Sequence, residues 1–91
     1  MTINNNPVEE TASLANTVSR SVQKYFAELN GVEPFGLHQI VLEEIEIPLF
    51  RAVMEHCKYN QSKAAEIMGL SRGTLRAKLK QYFDDQYVGT R

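Results

Sequence analysis

The chain has little of what secreted and membrane proteins need. Its single cysteine, Cys57, cannot form an intrachain disulfide, so no disulfide framework exists and a reducing compartment is favoured. No apolar run approaches the roughly 20 residues of a membrane-spanning helix. The N-terminus also lacks the basic start and apolar block of a signal peptide. We therefore expect a cytoplasmic protein without a membrane partner.

Residue types that catalyse reactions or bind metals are equally sparse. His38 lies far from His56 in the sequence, and the adjacent His56 and Cys57 would diverge by about 100° on a helix. No Cys-x-x-Cys or His-x-x-x-His spacing occurs, and there is no glycine-rich phosphate loop. The glutamates at 43, 44 and 46 are typical of a solvated helix face. We predict that the protein is not an enzyme and uses no cofactor or metal.

What the chain does contain is a stretch, residues 60–82, with the pattern of two short helices joined by a tight turn. Asn60 and Ser71 are residue types that cap helix N-termini, because their side-chain oxygens accept hydrogen bonds from free backbone amides. Gly69 supplies the backbone freedom that the turn needs. This is the helix-turn-helix pattern, although taken alone it also fits an ordinary helical hairpin with solvated lysines.

The second helix of this pattern has two different faces. Leu75, Leu79 and Tyr82 recur at the spacing of one helix face, which predicts a buried stripe. The opposite face is small at Gly73 and is flanked by basic and hydroxyl side chains. Such a helix fits a DNA major groove, where Arg72 near its N-terminus could reach a base edge and the other cations could meet phosphates.

The net charge of −1 hides a strong asymmetry along the chain. Residues 1–57 carry three basic and eight acidic residues, a net charge of −5. Residues 58–82 carry six basic residues and one glutamate, a net charge of +5. The positive charge therefore coincides with the helix-turn-helix pattern, as expected of a polyanion-binding surface on an acidic body. This coincidence favours DNA binding over a merely solvated helix face.

Two longer helices are predicted before this unit, so the fold class is all-α. Residues 14–30 carry one apolar stripe, whereas residues 37–57 are apolar on more than one side. A chain of 91 residues buries a modest core, so the second apolar side is best covered by another copy of the chain. This predicts a closed two-fold homodimer. The predicted dimer core consists of Val41, Ile45, Leu49, Phe50, Val53 and Met54.

The predicted segments follow from these patterns. Residues 1–13 are expected to form a flexible N-terminal arm, 14–57 the dimerisation core, 58–82 the helix-turn-helix unit and 83–91 a frayed tail. Pro48 lies inside the second long helix, where we expect a kink. Two separate helices that meet at this proline are the alternative.

The most specific pattern lies in residues 60–82 and is accompanied by two earlier stretches, residues 25–31 and 47–54. Its motif is Asn60-Gln61-Ser62-x-Ala64-Ala65, then Gly69, then Arg72-Gly73-Thr74-Leu75-Arg76. Over residues 16–82 the chain resembles the Fis family, the factor-for-inversion-stimulation nucleoid proteins of bacteria. The same unit also occurs at the C-terminus of large bacterial enhancer-binding activators. No ATPase domain precedes it here, so we expect a free-standing Fis-like protein.

The resemblance implies an intertwined homodimer with two long N-terminal helices per subunit and a C-terminal helix-turn-helix. It further implies that the two recognition helices lie closer than one DNA turn, so that the DNA bends and sites are read by shape. Carried onto this sequence, Arg72 makes the principal base contact. The other DNA-binding residues that we expect are Asn60, Ser62, Ser71, Thr74, Arg76, Lys78 and Lys80.

Three positions depart from the family pattern. Ser71 stands where the family usually has asparagine, and its shorter side chain should cap equally well but reach bases less. Ala77 and Gln81 stand where lysines are common, so fewer counterions would be released and binding would be weaker or less salt-dependent.

We thus predict a homodimeric, DNA-bending, nucleoid-associated transcription regulator whose partners are double-stranded DNA and a second copy of the chain. RNA polymerase and a recombinase are further candidate partners without support from particular residues. In the family the arm contacts a DNA invertase, but here it is short and has no strand pattern. The alternative is a dimeric protein-interaction module derived from a helix-turn-helix protein, without DNA binding.

Overall fold

A computed structural model describes residues 7–87 and Gly89, with side chains from residue 13 onward. The described residues form helices and connecting turns, with no strand, which confirms the all-α fold class. None of the helices in this part of the chain combines the length and apolar character needed to span a membrane. The helices are α1 (Pro7–Leu29), α2 (Leu37–His56), α3 (Gln61–Met68) and α4 (Arg72–Phe83).

Helix α1 begins earlier than the sequence pattern predicted. Residues 7–13, expected to belong to a flexible arm, are helical, and residues 1–6 lie outside the described residues. The fixed φ of proline suits the first helical position at Pro7, and residues 8–13 contain neither glycine nor proline to interrupt the helix. The helix ends ahead of Asn30 and Gly31, which both have positive φ, 54° and 89°.

Helix α2 follows Gly36 and continues through Pro48 to His56, so the alternative of two helices that meet at Pro48 is wrong. A kink at the proline stays a prediction. The chain divides into two compact units, and α2 belongs to the one that begins at Gly36, together with α3 and α4. The expected boundary at residues 57 and 58 therefore does not separate α2 from the helix-turn-helix.

The core of this second unit explains that grouping. Its largest fully buried side chains are Phe50 and Met54 from α2 and Leu75 from α4. The small side chains of Ala64 and Ala65 are buried in the same cluster, which lets α3 approach closely. The other buried hydrophobic residues of the unit are Cys57, Leu79, Phe83 and Tyr87.

This core corrects the assignment of two residues to a subunit interface. Phe50 and Met54 are 1% and 0% exposed in a single chain, so they have no surface left to bury against a second copy. Leu49, the neighbour of Phe50, is exposed and keeps its apolar surface. The remaining residues of the predicted dimer core are partly buried: Val41, Ile45 and Val53.

The C-terminal segment is also more ordered than expected. Phe83 is the last residue of α4 and is buried, and Tyr87 is buried after a short turn. The two rings meet edge to face with their centroids 5.2 Å apart. The prediction of a frayed tail is therefore wrong for residues 83–87, while residues 88, 90 and 91 lie outside the described residues.

Candidate nucleic-acid interface

The two short helices are capped as the sequence predicted. The side-chain Oδ1 of Asn60 accepts a hydrogen bond of 3.1 Å from the backbone N–H of Lys63. The Oγ of Ser71 accepts one of 3.1 Å from the backbone N–H of Thr74. Between the helices, Gly69 has a left-handed φ of 72°, which ends α3 and turns the chain toward α4. These local contacts fix where α4 begins.

Helix α4 is held by one face and presents the other. Leu75 and Leu79 are buried in the core, so the opposite side of the helix faces outward. Arg72, Arg76 and Lys80 follow one another at intervals of four residues along one flank of that outer side, and all three are exposed. They line one side of a pocket of about 460 Å³.

The two arginines of this surface differ from Lys80 in their ion pairing. In the part of the chain that the structure describes, neither Arg72 nor Arg76 forms an ion pair. Each guanidinium offers several N–H donors in a planar fork, which suits phosphate oxygens and the acceptor edge of guanine. Lys80 differs, because its Nζ lies 3.5 Å from Oδ1 of Asp85, although both side chains are largely exposed.

The other residues predicted to bind DNA are in varied settings. Ser62 is exposed on α3, near the start of that helix. Thr74 is exposed, and its Oγ1 accepts a 3.0 Å hydrogen bond from the Ser71 hydroxyl, so these two side chains are joined at the N-terminus of α4. Asn60 is partly buried, and its side-chain oxygen is already engaged as a cap. The site therefore centres on the exposed arginines.

Lys78 is engaged elsewhere in the same chain. Its Nζ lies 3.0 Å from Oε1 of Glu46 on α2, and the Tyr82 hydroxyl donates a 2.5 Å hydrogen bond to the same oxygen. The ammonium also lies 5.6 Å from the centre of the Tyr82 ring. This cluster ties α4 to α2. A contact of Lys78 with DNA stays a prediction. A DNA phosphate at this position would compete with Glu46 for the ammonium.

The cluster shifts the pKa of each member. The Tyr82 hydroxyl, and then Lys78, hold the pKa of Glu46 below its ordinary value of 4.5, although partial burial opposes this. The hydrogen bond to Glu46 raises the pKa of Lys78. Burial, followed by the nearby carboxylate, raises the pKa of Tyr82. The folded state therefore favours the charged carboxylate and ammonium.

Glu46 is expected to make stability dependent on acid pH. A carboxyl whose pKa is lowered by folding contributes stability above its unfolded pKa, near 4.5, and loses it as pH falls through the lower folded value. We expect Glu46→Gln to lower the free energy of unfolding at pH 7, and the difference from the native protein to shrink toward pH 3. Urea denaturation of both proteins at pH 7 and pH 3 measures this difference in the free energy of unfolding. Glu44→Gln, which removes an exposed carboxylate of α2, should show no such narrowing.

Sequence reasoning missed this cluster because its members are distant in the chain. Glu46 and Tyr82 are 36 positions apart, and only the packing of α4 on α2 brings them together. The described residues contain no group of three or more His, Cys, Asp or Glu side chains placed to hold a metal ion. Cys57 is a buried, free core residue.

Comparison with known proteins identifies relatives of this chain. The sequence pattern of the family described as "Bacterial regulatory protein, Fis family" matches residues 41–82. A Fis-like protein of Pseudomonas aeruginosa is 47% identical over 76 residues, which cover 84% of this chain and 73% of the relative. The DNA-binding protein Fis of Proteus mirabilis is 42% identical over 81 residues, 89% of this chain and 83% of its own length. That of Aliivibrio fischeri is 48% identical over 69 residues, 76% and 70% of the two chains.

Proposed function

The chain belongs to the Fis family of bacterial regulatory proteins, and from that premise we propose that it is a homodimer that binds and bends double-stranded DNA and regulates transcription. It acts by binding and not by catalysis. We place it on the bacterial nucleoid, where a DNA-bending regulator works.

The observation that carries this proposal is the outer face of α4. Arg72 and Arg76 are exposed along one flank of a helix that Leu75 and Leu79 anchor in the core. A helix fixed in this way can enter a major groove without losing its own packing. Because the arginines form no ion pair within the described residues, binding DNA does not require an existing pair of theirs to break. Arg72, near the N-terminus of the helix, is our proposed base-reading residue, and Arg76 our proposed phosphate contact.

The homodimer is supported by the apolar surface that remains on α2. Leu49 is 43% exposed, and Val41, Ile45 and Val53, which share its stripe on α2 at intervals of four residues, are only partly buried. A second copy related by a two-fold axis would cover the same face on both subunits. We propose that the two α4 helices lie on one side of this dimer. Spaced more closely than a DNA turn, they would fit two successive major-groove segments only if the duplex bends between them.

Shape readout follows from the small number of base-reading side chains. One arginine per subunit can specify few bases directly, so preference for a site must come largely from how easily its centre deforms. We therefore propose that A/T-rich centres, which have a narrow minor groove, are preferred. The proposal covers DNA and a second copy of the chain, since no described surface singles out RNA polymerase or a recombinase.

A titration across a salt series tests the proposal. Duplexes of about two turns, with either an A-tract or a G/C-rich centre, are titrated with the protein, and bending is read from fluorescence transfer between the duplex ends. We expect binding that weakens steeply with salt, a bent duplex and tighter binding to the A-tract. No duplex binding at low salt would refute DNA binding, and binding without bending would refute shape readout.

A further inference from the structure

The last residue of α4 and the four residues after it fold back on the helix-turn-helix. The family pattern matches only as far as residue 82, so this segment, residues 83–87, lies beyond the matched region. The chain reverses at Asp84, whose φ of 52° and ψ of −120° are uncommon for a residue with a side chain. Such a backbone persists only where surrounding contacts hold it. The reversal is therefore held in place by the packing of the fold around it.

Aromatic packing and one hydrogen bond provide those contacts. The Tyr87 ring is buried against Phe83 and stacks on Tyr59, with centroids 5.2 Å and 6.1 Å apart. The Tyr87 carbonyl accepts a 3.1 Å hydrogen bond from Nε2 of Gln61, a buried residue at the start of α3. On the other side, the Arg51 guanidinium lies 5.3 Å from the centre of the Phe83 ring. The segment is thus attached to α2, α3 and α4.

The reversal brings two carboxyl groups to the cationic face of α4. Oδ1 of Asp85 lies 3.5 Å from Nζ of Lys80. Asp84 lines the same pocket as Lys80 and the two arginines of the proposed DNA-binding face, Arg72 and Arg76. The segment therefore places one carboxylate beside Lys80 and a second acidic residue at the border of the pocket that Lys80 and the arginines line.

We propose that residues 83–87 are an intrachain competitor of DNA, in which Asp84 and Asp85 lower the affinity and the salt dependence of duplex binding. This inference rests on the proposed function. When Lys80 is paired with Asp85, it neutralises a DNA phosphate less completely, so fewer counterions are released from the DNA on binding. The exposed Lys80–Asp85 pair is weak enough to exchange for a phosphate, so it tunes binding without preventing it.

Neutral, nearly isosteric substitutions of Asp84 and Asp85 test whether their charges compete with DNA. Asn tolerates positive φ, so Asp84→Asn keeps the reversal while it removes the charge. We expect Asp85→Asn and Asp84→Asn each to bind a two-turn duplex about three- to ten-fold more tightly at low salt. For Asp85→Asn, the slope of log affinity against log salt should steepen by about 0.9 per subunit, the value of one additional phosphate contact. Unchanged thermal melting and circular dichroism would establish that each variant folds normally.

Two control variants separate a local effect from net charge. Asp85→Glu keeps the charge beside Lys80 and should bind DNA like the native protein. Glu33→Gln removes the same charge from an exposed loop residue before α2 and should change the affinity by less than two-fold. If Glu33→Gln tightened binding as much as Asp85→Asn, the tail would have no specific role.

A double-mutant cycle with Lys80→Gln tests whether Asp85 acts on DNA binding through Lys80. Lys80→Gln should weaken binding only slightly in the native protein, where Asp85 occupies the lysine, and by several fold more in the Asp85→Asn background. Equal effects of Lys80→Gln in the two backgrounds would refute the proposal that Asp85 competes with DNA, even if every variant binds DNA. Loss of duplex binding at low salt by the native protein and all variants would instead refute the proposed function itself.

Discussion

Replacing Leu75 by alanine is expected to lower the free energy of unfolding by about 2–5 kcal/mol, the usual range for deleting a fully buried leucine side chain. Leu75 is 0% exposed and belongs to the cluster that joins α2, α3 and α4. The cavity would lie directly beneath the outward face of α4. We therefore expect DNA affinity to fall as well, because the helix that carries Arg72 would no longer be firmly seated.

Ile67→Ala provides the matched control, since it removes an aliphatic side chain of the same size from the neighbouring helix α3. Ile67 is 49% exposed, so its truncation should cost less than about 1 kcal/mol. Urea denaturation of all three proteins at one fixed protein concentration gives the comparison, because the stability of a dimer depends on concentration. Equal losses for Leu75→Ala and Ile67→Ala would contradict the assignment of Leu75 to the core.

The helix-turn-helix could be predicted from sequence because its signals are local. The caps at Asn60 and Ser71 each bond to an amide three positions away, and the Gly69 turn depends on one residue's backbone. The buried stripe of α4 repeats within a single helix. Residue spacing alone therefore located the surface that carries Arg72 and Arg76.

The partners of α2 could not be predicted in the same way. Its pattern showed correctly that more than one side is apolar, but periodicity does not say what covers each side. Phe50 and Met54 are covered by α3 and α4 of the same chain, whereas Leu49 stays exposed. Adjacent positions such as Leu49 and Phe50 diverge by about 100° on a helix, so they can serve different partners.

The ordered tail and the Glu46 cluster were missed for a related reason. Gln61 and Tyr87 are 26 positions apart, and no spacing rule connects a polar residue at a helix start to a distant carbonyl. Short polar segments at chain ends usually fray. That expectation outweighed the two aromatic residues of this segment, Phe83 and Tyr87. The prediction that Lys78 contacts DNA stays open, but it considered the charge of Lys78 without the Glu46 carboxylate that packing brings beside it.

The second large effect is expected at Arg72, the proposed base-reading residue. Arg72→Ala should weaken binding to a preferred duplex by about five- to 150-fold, which corresponds to the roughly 1–3 kcal/mol of one bidentate base contact. Binding to unrelated sequences should fall less, so the ratio between preferred and unrelated duplexes should shrink. Arg76→Ala should instead weaken binding to all duplexes alike and flatten the salt dependence, as loss of a phosphate contact does.

Arg20→Ala is the control for these two variants, because it removes the same side chain from an exposed position on α1, far along the chain from α4. Equilibrium binding at two salt concentrations, with one preferred and one unrelated duplex, separates the three behaviours. An Arg72→Ala protein with affinity within two-fold of the native protein would show that another residue reads the DNA. If Arg72→Ala and Arg76→Ala lost affinity equally on both duplexes, both arginines would be phosphate contacts, and specificity would depend on DNA shape alone.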